Sequence, residues 1–263
     1  MRVGYYQFEP VFGEVFTNLE RVAAELEIID CDLVVLPELA MTGYQFLSPE
    51  ETWNLAEPIP EGPTTTRCLE LAKARSMIMV VGLAERAGTR CYNSAVVVGP
   101  SGLIGVYRKV HLFAEETLFF TSGDTGFPVW NIGEATIGVL ICFDWIYPEA
   151  ARTLALKGAD LLCHPANLVL PYCPDAMVTR CLENRVFSIT ANRVGSEARG
   201  GKPRLSFIGQ SEIVSPSGTI LHRAPSGQSE LYFVDIDVKE ARQKRITPYN
   251  DLFRDRRPSC YFV

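Results

Sequence analysis

Short apolar runs, each too brief to span a bilayer, recur along the whole chain, and what separates them changes along the way. "VGYYQF" (3–8) and "LVVLPE" (33–38) read as strands, with the amphipathic helical pattern "EVFTNLERVAAELEII" (14–29) between them and another, "TTTRCLELAKARS" (64–76), after. Three strand-like runs then follow with no helix among them: "MIMVVGLAE", "NSAVVVGP" and "GLIGVYRKVHL". "GPSG" (99–102) marks a tight turn between the last two. Next come "ATIGVLIC" (135–142), a helix from Pro148 to about Lys157 stopped by Gly158, and the strand "ADLLCH" (159–164). A helix over 174–184 leads to "VFSITANRV" (186–194), two strands around a Ser-Pro-Ser-Gly turn, and "SELYFVDID". Alternating helices and strands predict an α/β layered sandwich, and the turn-linked neighbours predict antiparallel pairs within its sheets. No linker, repeat or low-complexity segment divides residues 1–263, which are read as a single domain.

Composition narrows the partners. Twenty-five basic against 31 acidic residues leave a formal net charge of −6, and no Lys/Arg-rich run is present, so nucleic acid is not expected. "MRVGYYQFEP" reads as a first strand without a signal-peptide core, and no run suits a membrane, so a cytosolic protein is expected. The eight cysteines are irregularly spaced, with no C-x-x-C, which suits packed thiols in a reducing compartment. Cys163, His164 and Cys173 are the conceivable zinc ligands, but their gaps do not fit known zinc sites, so neither a metal nor another cofactor is expected.

Chemistry concentrates where strands end. "VLICFDW" (139–145) begins as a buried strand and finishes on Cys142, with a turn and a helix after it. Such an end lies at the carboxyl edge of a sheet, where sites of open α/β folds gather, and backbone N–H groups of the turn can face a developing oxyanion. A thiol with an ordinary pKa of about 8.5 is mostly protonated at neutral pH and needs a base. Three histidines are available, His111, His164 and His222, none within a cysteine-protease signature; His111 shares a face with Lys109 if that strand stays extended. Glu38 ends "LVVLPE" behind the stiff Pro37, and Lys109 ends "VYRK". Singly, Glu38 reads as a surface acid, Lys109 as a snorkelling amine and Cys142 as a small core residue. Together they make an acid, an amine and a thiol at three strand ends.

These residues resemble the nitrilase superfamily of carbon–nitrogen hydrolases, whose Glu–Lys–Cys triad sits in motifs like "LVVLPELAMTGY", "YRKVHLF" and "GVLICFDWIYPEAAR". The resemblance runs on through "HPAN" (164–167), "LENRVFSITANRVG" (182–195) and "GQSEIVSPSG" (209–218) to the "LFRDRR" tail. It implies a four-layer αββα sandwich, assembled as a dimer or larger homo-oligomer, with the tail (about 246–263) packing on a partner subunit. It also implies Glu38 as base, Lys109 as oxyanion partner with the N–H of Phe143, and Cys142 as nucleophile. Glu116 is the better fit for a second glutamate, with Glu115 its rival. Tyr44 and Asn167 are pocket candidates against plain loop packing, Trp145 is either core or pocket, and Asp144 is expected to hold the turn.

The implied reaction is hydrolysis of a non-peptide carbon–nitrogen bond through a thioester. "Cys-Phe-Asp" departs from the Cys-Trp-Glu usual in nitrilases and favours a small aliphatic amide, by an amidase or ω-amidase-like activity. Nitriles and N-carbamoyl compounds are the alternative substrates, and a silent sandwich used for binding or assembly is the non-enzyme alternative. "GSEARGGKP" (195–203) resembles a phosphate loop only superficially, since its glycine spacing is wrong and Pro203 stands where Ser or Thr is needed.

Overall fold

The computed structural model, which describes residues 1–261, shows why so many runs are apolar at every position. In the strand Ile78–Ala87, Val80 joins one core cluster while Met79 and Val81 join another. The same split separates Leu33 and Val35 from Val34 and Leu36, and Ala95 and Val97 from Val96 and Val98. Successive strand residues point to opposite faces. Each of these strands is therefore covered on both sides, by a second sheet on one and by helices on the other.

Edge to edge, the first six-stranded sheet runs Glu230–Asp235, Arg2–Gln7, Leu33–Val35, Ile78–Ala87, Arg90–Gly99 and Gly102–Arg108. The second runs Ile220–Arg223, Glu212–Val214, Phe187–Asn192, Leu161–Ala166, Thr136–Val139 and Val129–Asn131. In both, three central strands pair in parallel and the flanking strands pair antiparallel. Inner-face residues of the first sheet, including Val3, Tyr5 and Val35, share a core with Ile137, Cys163 and Ile189 of the second. Helices Val15–Leu26 and Pro63–Arg75 cover the first sheet through Leu19, Val22, Cys68 and Leu71. Helices Pro148–Leu156 and Cys173–Asn184 cover the second, where Leu154 sits over Gly138. The order of layers is αββα, as expected. Pro148 opens its helix and Gly158 follows its end with φ of +96°.

Two differences matter for the site. The strand predicted to continue through His111 ends at Arg108. Lys109 still donates its N–H to Asn93 O, but its carbonyl then accepts from Gly123 N, and the chain turns away. Lys109 and His111 therefore do not share a face. In the tail, Phe253 is half-buried on its own chain beneath Arg152 and Lys244, at 5.5 and 4.8 Å from its ring centroid. Tyr261 is 52% exposed, and Phe262 lies outside the described residues. No helix among the described residues is long and apolar enough to cross a membrane.

Candidate active site

Glu38, Lys109 and Cys142 follow three strands and meet between the sheets' carboxyl ends. Glu38 lies just past Leu33–Val35, where the chain crosses directly over Gly82. Ala40 N–H donates to Gly82 O at 2.9 Å, and a Cβ on Gly82 would lie 2.5 Å from Glu38 Cα. Only glycine permits that approach. Lys109 is fully enclosed, its Nζ 2.6 Å from Glu38 Oε1 and 2.8 Å from Glu116 Oε1. Asn93 Nδ2 donates to Glu38 Oε1 at 2.6 Å, and Tyr44 OH donates to Glu116 Oε1 at 2.7 Å. Glu116 Oε2 accepts from Phe113 N–H at 3.2 Å. Glu115 points elsewhere, bonding Lys202 at 2.7 Å with its side chain 58% exposed, so geometry places Glu116 and not Glu115 on the lysine.

One ammonium between two buried carboxylates sets the electrostatics. Burial pushes Glu38 up to about 7 against the attraction of Lys109, and the charge on Glu116 adds to the rise. Burial alone would lower Lys109, but Glu116 and Glu38 outweigh it and hold the amine above its ordinary range. Burial and the Glu38 charge push the Cys142 thiol well above its usual value. Cys142 is therefore held as a neutral thiol, the form that must lose a proton before a cysteine can act as a nucleophile.

Cys142 has φ of +43°, the left-handed region that non-glycine residues seldom occupy, and opens the short 3₁₀ helix Cys142–Ile146. His164 holds it there. Its Nε2 lies 3.0 Å from Cys142 O and its Nδ1 3.1 Å from Thr190 Oγ1. A carbonyl only accepts, so Nε2 carries the proton and Nδ1 accepts from the threonine hydroxyl. Burial lowers His164 to about 4, keeping it neutral. Asp144 ties down the same turn, accepting from Ile141 N–H at 2.9 Å, Tyr107 OH at 2.7 Å and His111 N–H at 3.2 Å. His111 Nδ1 also meets Asp144, at 2.8 Å, and its ring stacks on Tyr147 at 3.7 Å. Asp144 thus holds the turn, as expected, and lies outside the pocket walls.

Cys142 opens into a slot of about 20 Å³ walled by Phe143, Trp145, Asn167, Phe113 and Val169. The last two also wall a neighbouring cavity of about 180 Å³, lined by Tyr44, Glu116, Phe46, Phe119 and Lys202 among others. Trp145 fills both of its expected roles, since it belongs to the core and faces the slot. Asn167 is 2% exposed, and neither its amide oxygen nor its nitrogen has a protein partner among the described residues. Glu38 Oε2 is likewise unpartnered. No group of three His, Cys, Asp or Glu side chains among the described residues could hold a metal ion.

A family model described as carbon–nitrogen hydrolase matches residues 2–246. The chain belongs to the carbon–nitrogen hydrolase family. It is 49% identical, over all of its length and 99% of the relative's, to a nitrilase of Pyrococcus abyssi. It is 31% identical to the N-carbamoylputrescine amidase of Arabidopsis thaliana, across 95% of this chain and 90% of the relative. Among solved structures, a carbon–nitrogen hydrolase from Helicobacter pylori G27 superposes with a TM-score of 0.90 at 28% identity, covering 99% of this chain and 97% of that one. These matches establish a hydrolase of non-peptide carbon–nitrogen bonds and do not select among nitriles, amides and carbamoyl compounds.

Three further residues of this carbon–nitrogen hydrolase support the site in roles that its sequence does not assign. Asn93 carried a usable signal, because an amide inside the buried strand "NSAVVVG" needs a partner. His164 was weighed as a base and instead supports the Cys142 backbone. Gly82 lies inside a valine-rich strand, where a glycine marks a close backbone approach.

Proposed function

We propose that this hydrolase cleaves small aliphatic amides to the acid and ammonia through a thioester on Cys142. Glu38 takes the thiol proton as Sγ attacks the carbonyl carbon. The Lys109 ammonium and the Phe143 N–H hold the negative oxygen of the tetrahedral adduct. Protonated Glu38 returns its proton to the departing nitrogen, which leaves as ammonia and frees the thioester. Water, deprotonated by the same carboxylate, then attacks the thioester, and the proton passes to the sulfur as the acid departs. Glu116 holds Lys109 and faces the amide nitrogen. Tyr44, Trp145 and Asn167 shape the pocket.

The unpartnered amide of Asn167 beside the thiol carries the choice of substrate. Its nitrogen donates and its oxygen accepts, and Glu38 Oε2 is a second buried acceptor without a partner. A carboxamide supplies N–H donors and a carbonyl acceptor and can match all three. A nitrile presents only an acceptor and leaves the protein acceptors unmatched, a penalty of about 1–3 kcal/mol for each buried group. Ammonia release from matched aliphatic amides, nitriles and N-carbamoyl compounds tests the reading. Higher kcat/KM for the amide of each matched set is expected, and a consistent preference for the nitrile or the N-carbamoyl compound sinks it.

This reading extends to assembly and setting. Ile246, Tyr249 and Tyr261 are 61%, 92% and 52% exposed, which supports a homodimer whose tail, about 246–263, rests on the partner subunit. A sedimentation profile showing only monomer at micromolar concentration counts against it. All eight cysteines are free thiols and seven are buried, which supports a reducing, cytosolic setting.

A further inference from the structure

The polar groups of the loop 195–203 are engaged against one wall of the cavity. Glu197, 6% exposed, pairs with Arg193, itself 1% exposed and stacked 4.0 Å over the Phe207 ring. The Glu197 carboxylate also accepts from Tyr44 N–H at 3.1 Å and Gln45 N–H at 2.6 Å. Gly43, with φ of +80°, makes room for it, since a Cβ there would lie 2.9 Å from Glu197 Oε1. Arg199 N–H donates to Gln45 Oε1 at 2.7 Å, and its Nη1 donates to Gln45 O at 2.9 Å. Gln45 Nε2 donates back to Pro203 O at 2.9 Å.

Tyr44 is the residue this clamp presents to the chemistry. Its ring meets Phe207 edge-on at 5.9 Å, and its hydroxyl ends on Glu116 Oε1, the oxygen that also receives Lys109. Glu116 stands on the four-residue helix Glu116–Phe119, too short to fix a side chain by itself. The same loop reaches the neighbouring residue, because Lys202 Nζ bonds Glu115. Burying an ion pair as deeply as Arg193–Glu197 is a poor way to gain stability, whereas one carboxylate binding two consecutive backbone N–H groups fixes their placement.

We infer that Glu197 is a positioning residue for hydrolysis, acting through Tyr44 to set the Glu116 carboxylate against Lys109. The inference rests on the reading that Glu116 and Lys109 serve the reaction at Cys142.

A double-mutant cycle on the full-length protein tests it, with kcat and KM measured on the best amide of the screen. Tyr44→Phe removes one hydrogen bond to a charged group, so kcat should fall roughly ten- to a hundredfold. Glu197→Gln should lower kcat at least about fivefold with KM unchanged. In the Tyr44→Phe background it should cost less than about twofold more, because coupled positions are non-additive. Arg199→Gln, at a half-exposed side chain, should fold readily and reproduce a weaker fall in kcat, which keeps the test available if Glu197→Gln does not fold. Additive losses, or a rise in KM with kcat intact, overturn the positioning role. Cys142→Ser and Glu116→Gln run beside them: activity surviving either overturns the underlying reading, while their loss with wild-type kinetics in Glu197→Gln overturns this inference alone.

Discussion

The imidazole of His164 donates to the carbonyl oxygen of Cys142 across 3.0 Å, so the ring nitrogen that carries the proton is spent on the Cys142 backbone. His164 and Thr190 are register partners on neighbouring parallel strands, which fixes the ring between the hydroxyl and the carbonyl. His164→Ala strips partners from both buried groups. It should cost about 1–3 kcal/mol of stability per unsatisfied group and should lower kcat as the strained Cys142 conformation relaxes. Its folded value of about 4 lies below the ordinary 6.5, so its contribution to stability is complete above 6.5 and is lost as pH falls through 4. Urea midpoints from pH 7 to 4 should fall less steeply in the alanine variant than in the wild type. An equal slope contradicts the neutral, buried assignment.

Glu38 makes the opposite linkage. Its folded value of about 7 lies above the ordinary 4.5, so its stabilising contribution is present below 4.5 and is lost as pH rises through 7. The ionised carboxylate, which the proposed mechanism needs as its base, is the form that destabilises the fold. Activity measured as kcat/KM should therefore climb through an acid limb near pH 7, where the base becomes ionised. Glu38→Gln should be inactive yet no less stable than the wild type at pH 8, a trade common at catalytic positions. An inactive variant that is markedly less stable at pH 8 assigns Glu38 a structural role.

Gly82 offers a test of placement with no chemistry of its own. A Cβ there meets backbone atoms, Glu38 Cα and Pro37 O both at 2.5 Å, and neither can move without moving Glu38. Gly82→Ala should cost about 1–3 kcal/mol, as overpacking does, and should depress kcat sharply in the folded protein. Gly138→Ala in the second sheet is the control, since the atoms nearest its Cβ would belong to the side chain of Leu154, the first at 2.7 Å. Equal kcat losses in both variants remove the link between Gly82 and Glu38.

The parts of the site visible in the sequence are those that interrupt a local pattern. Glu38, Lys109 and Cys142 each place a reactive group where an apolar run stops, and that signal needs only a few neighbouring residues. The two-sided burial of the central strands was legible for the same reason, as runs with no polar face. What stayed hidden depends on register between distant segments. Arg193 and Glu197 stand four residues apart with no local pattern to mark them, and only the packed layers show both at 6% exposure or less. Glu115 and Glu116 are adjacent acids that local sequence alone does not tell apart, and the start of a short helix places Glu116, the one favoured by the family resemblance, on Lys109. His111 was misplaced because a strand's end cannot be fixed from its own residues, and its partner Asp144 lies on another element.

Lys109 and His111 separate this mechanism from a cysteine–histidine one. Lys109→Ala removes an ammonium that bonds two carboxylates at 2.6 and 2.8 Å in a fully enclosed site. Loss of an oxyanion donor typically costs about 2.7–4 kcal/mol, or 10²–10³ in kcat. The loss here should be at least that large, because Glu38 and Glu116 then face each other unpaired and one takes up a proton more readily, weakening the base. His111 has a different employment, with Nδ1 on Asp144, its ring on Tyr147 and a quarter of its side chain exposed. His111→Ala should lower stability by about 0.5–1.5 kcal/mol for the hydrogen bond and change kcat less than about tenfold. Measuring kcat for both variants, with circular dichroism to establish folding, gives the order. A dead His111→Ala beside a merely impaired Lys109→Ala makes histidine the base and removes the lysine from the oxyanion site.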